Sequence, residues 1–246
     1  MKIFELDIFG FTLAPTYYGL SYALTFIIGY LIFKKRNWLN QKQIDDLFFY
    51  IVAWVIVWGR LGYVLFYNLS SYMQNPLDIF KVWEWWMSFH GGTIWVIIAM
   101  ILFAYKNKLN FYKLADHICI IVPIGIALIR FANYLNKELL GFSYTGLLSI
   151  NGQFPSPLLE SFLEWIVLFG IIYYFYRRQS FTWQIASVFL IGYWFFRVLV
   201  ELFVRLPDAQ VGYVVAWVSR GAILSMLMIL AWIYFYIQQK NNAKPQ

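Results

Sequence analysis

Four arginines, Arg60, Arg130, Arg197 and Arg220, stand inside long apolar runs of the chain. A charge at bilayer depth costs several kcal/mol unless it is paired, hydrated or snorkelling, so each is first read as part of a functional site. Glu160 and Glu164 are the nearest acids in the pattern, and their pairing with two of the arginines is one reading of the group. The other is that the guanidiniums outnumber their acids and hold an anion. Arginine grips a phosphate bidentately where lysine offers a point charge, so the natural anion is a phospholipid headgroup.

His90 lies in Met87-Ser88-Phe89-His90-Gly91-Gly92. Two glycines after a histidine at a helix start allow close approach of backbone or substrate, and the free amides of a first turn favour an oxyanion. General-base catalysis and a structural hydrogen bond are both open for it. His117, beside Asp116, reads as interfacial and structural, and Cys119 as packing rather than nucleophile. With two histidines and one cysteine in the chain, neither a zinc site of the usual types nor a disulfide can be built. No GxxxxGK[ST] loop and no GxSxG elbow occurs, and the last apolar run lacks the lysine of a retinal Schiff base.

The elements that must position these residues follow from composition. Of 246 residues, 62% are hydrophobic, 22% aromatic and 13% charged, with a mean hydropathy of +0.63. Soluble domains carry about 25% charged residues, so the chain reads as an all-α polytopic membrane protein and as a single integral membrane domain over 1–246. Seven apolar runs, 17–33, 47–67, 87–105, 114–134, 158–176, 183–203 and 213–237, are continuous rather than alternating, which predicts helices and not barrel strands. The first run is expected to stay as a helix and not to be cleaved as a signal peptide.

Basic residues fix the expected orientation. Lys34, Lys35, Arg36, Lys42, Lys106, Lys108, Lys113, Arg177, Arg178, Lys240 and Lys244 lie on one side, and Lys2, Lys81, Lys137 and Arg205 on the other. The excess belongs in the cytoplasm, so the N-terminus is expected outside and the C-terminus inside. The net charge of +7 is thereby explained by topology rather than nucleic-acid binding. At 1.5 Å rise per residue the four arginines fall roughly 6–11 Å below the outer boundary. Residues 68–86, with Trp83, Trp85 and Trp86, read as an interfacial arm, and 135–157 as a small irregular periplasmic head.

Several strings then converge. Tyr17-Tyr18-Gly19-Leu20, Gly59-Arg60-Leu61-Gly62-Tyr63, Ser88-Phe89-His90-Gly91-Gly92, Arg130-Phe131-Ala132-Asn133-Tyr134-Leu135-Asn136-Lys137-Glu138-Leu139-Leu140-Gly141, and Arg197-x-x-x-Glu201-x-x-x-Arg205-x-Pro207-Asp208 resemble, in order, the bacterial prolipoprotein diacylglyceryl transferases. The resemblance covers essentially the whole chain. It implies transfer of a diacylglyceryl group from phosphatidylglycerol to the lipobox cysteine thiol of a preprolipoprotein, the first step of lipoprotein maturation. The site would face the outer leaflet of the bacterial cytoplasmic (inner) membrane, with no cofactor, no metal and no nucleic acid. The substrate brings the nucleophile, leaving the enzyme to bind lipid, deprotonate the thiol and stabilise the leaving phosphate.

On this resemblance Arg130 and Arg197 hold the phosphate, Tyr18 and Asn133 hydrogen-bond the headgroup, and Glu201 orients Arg197 from one helical turn away. His90 is the base for the thiol, with Arg60 and Glu138 as supporting polar residues and Gly141 closing the signature stretch of the substrate site. The chain departs from the family pattern mostly at glycines. Ile129, Ala132 and Lys137 stand where that pattern has glycine, Trp85 and Trp86 replace a glycine pair, and Trp58 and Trp95 occupy small positions. Phe154-Pro155-Ser156-Pro157-Leu158-Leu159-Glu160 replaces the usual His-Pro-Ser-Gln-Leu-Tyr-Glu. Two other readings compete: a homologue that binds anionic phospholipid without transfer, and a transporter or flippase open to both faces.

Overall fold

A computed structural model of the chain describes residues 3–8, 11–67, 69–75, 89–205, 213–215 and 218–242; for 6–8, 11–13, 55–56, 58–63, 65–67, 69–71, 89–95, 213–215 and 218–225 it describes the backbone alone. The side chains of Arg60, His90, Trp58, Trp95 and Arg220, with Trp85, Trp86 and most of the interfacial arm, therefore lie outside the described residues. Helices carry the fold. In chain order they are α1 (Tyr17–Arg36), α2 (Gln41–Tyr67), α3 (Leu69–Gln74), α4 (Phe89–Lys106), α5 (Phe111–Cys119), α6 (Val122–Leu135), α7 (Ser156–Ser161), α8 (Leu168–Arg177), α9 (Gln184–Phe203) and α10 (Arg220–Asn242). A π-helical stretch, Phe162–Val167, joins α7 to α8.

Two short antiparallel pairs stand beside them, β1 (Leu6–Ile8) with β2 (Phe11–Leu13) and β3 (Tyr213–Val215) with β4 (Val218–Ser219). The second corrects the seventh run. Tyr213, Val214, Val215 and Val218 favour extended backbone, so α10 starts at Arg220, which is the first residue of its helix rather than one seven residues inside it.

Among the described residues, Ser156–Arg177 and Gln184–Phe203 are long and apolar enough to cross a membrane. Phe111–Cys119 with Val122–Leu135 forms a third candidate that is bent by 43°. The fourth apolar run is therefore a broken helix. Pro123 has no N–H for the Cys119 carbonyl, and tighter turns bridge the break, from Ile121 N to Ile118 O at 2.8 Å and from Ile124 N to Ile121 O at 3.0 Å.

The chain divides into two compact units, Tyr30–Leu114 and Met1–Gly29 with Ala115–Gln246. In the first, α2 packs on α4 around Ile44, Leu47, Ala99 and Phe103. Asn40 opens α2 with a reciprocal cap: its Oδ1 accepts from Gln43 N at 2.9 Å while Gln43 Oε1 accepts from Asn40 N at 3.1 Å.

The second unit is cored by Leu168 and Ile172 of α8 against Ile185, Val188, Phe189 and Phe196 of α9, with Cys119 packed on that cluster. Asp116 of α5 caps α9 from outside the helix. Its Oδ2 accepts from Trp183 N at 2.8 Å and from Gln179 Nε2 at 2.6 Å, and its Oδ1 from Ala186 N at 2.8 Å. The first-turn amides of α9 thus find a buried carboxylate, which also complements the positive end of the helix.

Candidate functional site

The second unit gathers two polar groups around the last turns of α6. The first begins with how α1 meets that helix. Ser21 Oγ donates to the Leu128 carbonyl at 3.0 Å, and a Cβ at Gly125 would collide with the methyl of Thr25. The small residues let the two helices run antiparallel in close contact, which carries Tyr18 to Asn133. The Tyr18 hydroxyl donates to Glu138 Oε2 and accepts from Asn133 Nδ2, while Asn133 Nδ2 also donates to Glu138 Oε2 at 3.2 Å. Proton direction is fixed along this chain: the carboxylate only accepts, so tyrosine spends its proton there and takes one from the amide. That leaves Asn133 Oδ1, which is buried, with no partner among the described residues.

The second group is ionic. Arg130 Nε lies 2.8 Å from Glu160 Oε2 and 3.1 Å from Glu164 Oε2. Arg197 Nη1 is 3.7 Å from Glu160 Oε2, and its Nε is 3.2 Å from Glu201 Oε2, one turn along α9. Arg205 Nη1 is 3.7 Å from Glu160 Oε1. Glu160 and Glu164 are each about 1% exposed, whereas Arg197 keeps 21% of its side chain open. The π-helical turn that carries Glu164 widens the helix just where the two carboxylates must both meet Arg130, a place where such turns recur.

Among the described residues, three arginines, 130, 197 and 205, face three glutamates, 160, 164 and 201, so this cluster is formally neutral. Arg60 and Arg220, the other two arginines of the expected surplus, have side chains outside the described residues. What the ion pairs do is hold Arg130 by Nε, and no described pair takes its Nη1 or Nη2. A guanidinium so held is oriented with its outer fork available.

A loop ties the groups together. Gly141 N donates to Phe154 O at 2.8 Å, Phe142 N to Val204 O at 3.1 Å, and Gly141 bridges to Arg205 in antiparallel fashion. A Cβ at Gly141 would strike the Val204 carbonyl, so the close approach that seats Arg205 requires glycine. Burial first, then the charge of Arg197, pull the Arg205 pKa below its ordinary value, while Glu160 acts the other way. Lys137, by contrast, is a lysine at φ 60°, in the left-handed region.

A family model described as prolipoprotein diacylglyceryl transferase matches residues 6–238. The relatives of this chain include proteins named phosphatidylglycerol–prolipoprotein diacylglyceryl transferase from three bacteria. That from Bordetella bronchiseptica is 40% identical, covering 92% of this chain and 91% of the relative. That from Proteus mirabilis is 36% identical, covering 100% and 97%. That from Rickettsia felis is 41% identical, covering 92% and 93%.

The chain belongs to the prolipoprotein diacylglyceryl transferase family.

In this member of the prolipoprotein diacylglyceryl transferase family, Tyr18, Arg130, Asn133, Glu138, Gly141, Arg197 and Glu201 all fall in one unit, around the C-terminal ends of α6 and α9. Arg60 and His90 fall in the other unit, with side chains outside the described residues. Residues 136–155 are an irregular segment of turns and bridges, with Ser143 bridged to Gln153 and Tyr144 packed against Phe154. Two residues of this region have no site role legible in the sequence. Arg205 reads from the sequence as a loop charge and does lie two residues beyond α9, yet it is buried; its one sequence signal is its place in the Arg197-x-x-x-Glu201-x-x-x-Arg205 string. Asn136 was only a letter in the signature stretch, yet both of its side-chain amide atoms are buried.

Proposed function

We propose that this protein transfers the diacylglyceryl group of phosphatidylglycerol to the lipobox cysteine thiol of a preprolipoprotein in the bacterial cytoplasmic membrane. The thiol sulfur attacks the glycerol carbon that bears the phosphate. A C–S bond forms, the C–O bond to phosphate breaks, glycerol phosphate departs, and the thiol proton passes to a base. The observation that supports this reading is the state of Arg130, whose Nε is held by Glu160 and Glu164 while no ion pair among the described residues takes its outer nitrogens. An oriented guanidinium stabilises charge that grows on a leaving phosphate without reorganising at the moment of reaction.

In this reading Arg130 and Arg197 take the phosphate, the Tyr18–Asn133–Glu138 chain takes the headgroup, and His90, supported by Arg60, takes the thiol proton. A free thiol has a pKa of about 8.5, so its deprotonation is the step that needs help. Seven spans with the N-terminus outside put the site at the outer leaflet, where the signal peptide of the acceptor arrives. Residues 68–86 and 135–157 then line its approach on the periplasmic side.

The test is transfer of labelled diacylglyceryl from phosphatidylglycerol to a lipobox peptide in liposomes, with the unmodified protein beside Arg130→Ala, Arg197→Ala and His90→Ala. Transfer that collapses by about 10²-fold or more in the arginine variants is expected. A folded protein that retains lipid and transfers nothing overturns the reading. Orientation is read separately: a cysteine at Glu5 should label from outside and one at Lys240 only after the membrane is opened.

A further inference from the structure

Between Glu138 and Glu160 the chain carries no charged residue. The loop inside that stretch is also apolar where it is most open. Phe142 to Leu148 form an unbroken exposed run, in which Leu147 is 84% and Leu148 55% open, with Phe142 and Tyr144 exposed beside them. A contiguous exposed apolar patch marks a surface that something covers.

Local structure holds this tip in place. The stems are closed by Gly141 N to Phe154 O at 2.8 Å and Phe154 N to Phe142 O at 2.9 Å, and the turn above them by Tyr144 N to Gly152 O at 2.7 Å. The Tyr144 ring lies so near Gly146 that a Cβ there would collide with it, and Ser149 N donates to Gly146 O at 3.2 Å. Leu147 and Leu148 are the two residues between that donor and acceptor. Leu148 sits at φ 63°, a turn position that glycine or asparagine takes without penalty. A leucine that is both strained and exposed loses free energy twice in water, and recovers the second loss only where its side chain leaves water.

The place of the loop in the fold selects what covers it. α6 ends at Leu135 and the candidate span Ser156–Arg177 begins directly after the loop, so the paired stems stand at a membrane boundary. In sequence the exposed apolar surface continues along that span, through Phe162, Trp165 and Ile166. A peptide partner would seek a complementary charge or a strand edge of free backbone groups. This loop has no charge, and its bridges are isolated pairs rather than a strand. Leucines and aromatic rings set among the uncharged Ser143, Thr145 and Asn151 suit the level where acyl chains meet headgroups.

We propose that the Phe142–Leu148 tip docks on the lipid surface of the membrane, placing Leu147 and Leu148 at the boundary of headgroups and acyl chains. This contact goes beyond the transfer reaction and holds whichever reaction the ion cluster serves. The same loop seats Arg205 through the Gly141 bridge, so the bilayer that receives the tip also braces one arm of that cluster.

The experiment uses the full chain with its one cysteine, the core-packed Cys119, changed to serine, and with Leu147→Cys carrying an environment-sensitive nitrobenzoxadiazole label. The protein is placed in phosphatidylcholine–phosphatidylglycerol vesicles with iodide on both sides. Lipids bearing a nitroxide high on the acyl chain should quench the label by at least about half. Iodide should reach it far less than it reaches the same label on Lys108→Cys, in the exposed turn between α4 and α5. Thr145→Cys, in the same exposed run, serves where Leu147→Cys does not fold. Iodide access equal to that at Lys108, with no quenching by the lipid nitroxide, overturns the proposal. Shielding that appears only when a lipobox peptide is added would make the tip a peptide site instead. Shielding that grows with the protein-to-lipid ratio would make it a contact between copies, and either result overturns the proposal too. None of these readouts depends on transfer, so a protein that transfers nothing but buries its tip sinks the transfer reading alone.

Discussion

Arg130 Nε and Glu160 Oε2 are 2.8 Å apart, and the same glutamate lies 3.7 Å from both Arg197 and Arg205. One carboxylate that is almost wholly buried therefore organises three guanidiniums arriving from α6, α9 and the segment after it. Removing one partner of a buried ionic group leaves charge uncompensated and costs about 3–5 kcal/mol.

Glu160→Gln should for that reason be among the most damaging conservative changes in the chain. Its unfolding temperature in detergent should fall sharply, and transfer should drop by about 10²-fold or more. Glu164→Gln should cost less, because Arg130 keeps Glu160. Equal effects from the two would argue against Glu160 as the shared centre.

Tyr18→Phe removes the link that accepts from Asn133 and donates to Glu138 while keeping the ring. Asn133 still reaches Glu138 at 3.2 Å, so the expected loss of stability is modest, about 1–3 kcal/mol. Transfer should fall more than stability does, and a KM for phosphatidylglycerol that stays unchanged would speak against a headgroup role for this chain of bonds.

Lys137 occupies a left-handed backbone position at φ 60°. A side chain there costs about 1–2 kcal/mol that glycine does not incur. Lys137→Gly should raise the unfolding temperature, and Lys137→Val should lower it. A drop with glycine would mean that the lysine side chain makes a contact worth more than the strain.

At Gly141 the requirement is spatial. Gly141→Ala should disrupt the bridge to Arg205, because the added methyl meets the Val204 carbonyl and backbone cannot swing aside as a long side chain can. Loss of transfer with a lowered unfolding temperature is expected, and an alanine variant indistinguishable from the parent would show that the loop relaxes freely.

The apolar runs were legible because continuous hydrophobicity is a strong signal, and α1, α2, α4 and α9 begin or end within a few residues of the expected spans. The break at Ile121 was not, although Pro123 announces it, because mean hydropathy ignores the missing N–H. The β3–β4 pair hid for the same reason: Tyr213-Val214-Val215 is equally apolar as strand or helix. At the site, residue types pointed to arginines and carboxylates, but charge balance depends on which partners meet in space. Glu201 meets Arg197 within α9, but Arg205 joins the cluster only once the Gly141 loop is folded against it, a partnership that charges counted along the chain do not show.

Asp116 reaches the first turn of α9 from 67 residues away at Trp183, and Tyr18 reaches Glu138 from 120 residues away. At about 5–20 residues per second, a ribosome takes roughly 6–24 s to make the 120 residues between tyrosine and glutamate. Throughout that interval α1 has its polar end without the acceptor that will finally hold it, and α5, made near its close, waits a further 67 residues for the helix it caps. The site is thus assembled late, by elements already delivered to the bilayer, and a chain truncated before α9 would insert its early helices without ever closing the pocket it was made for.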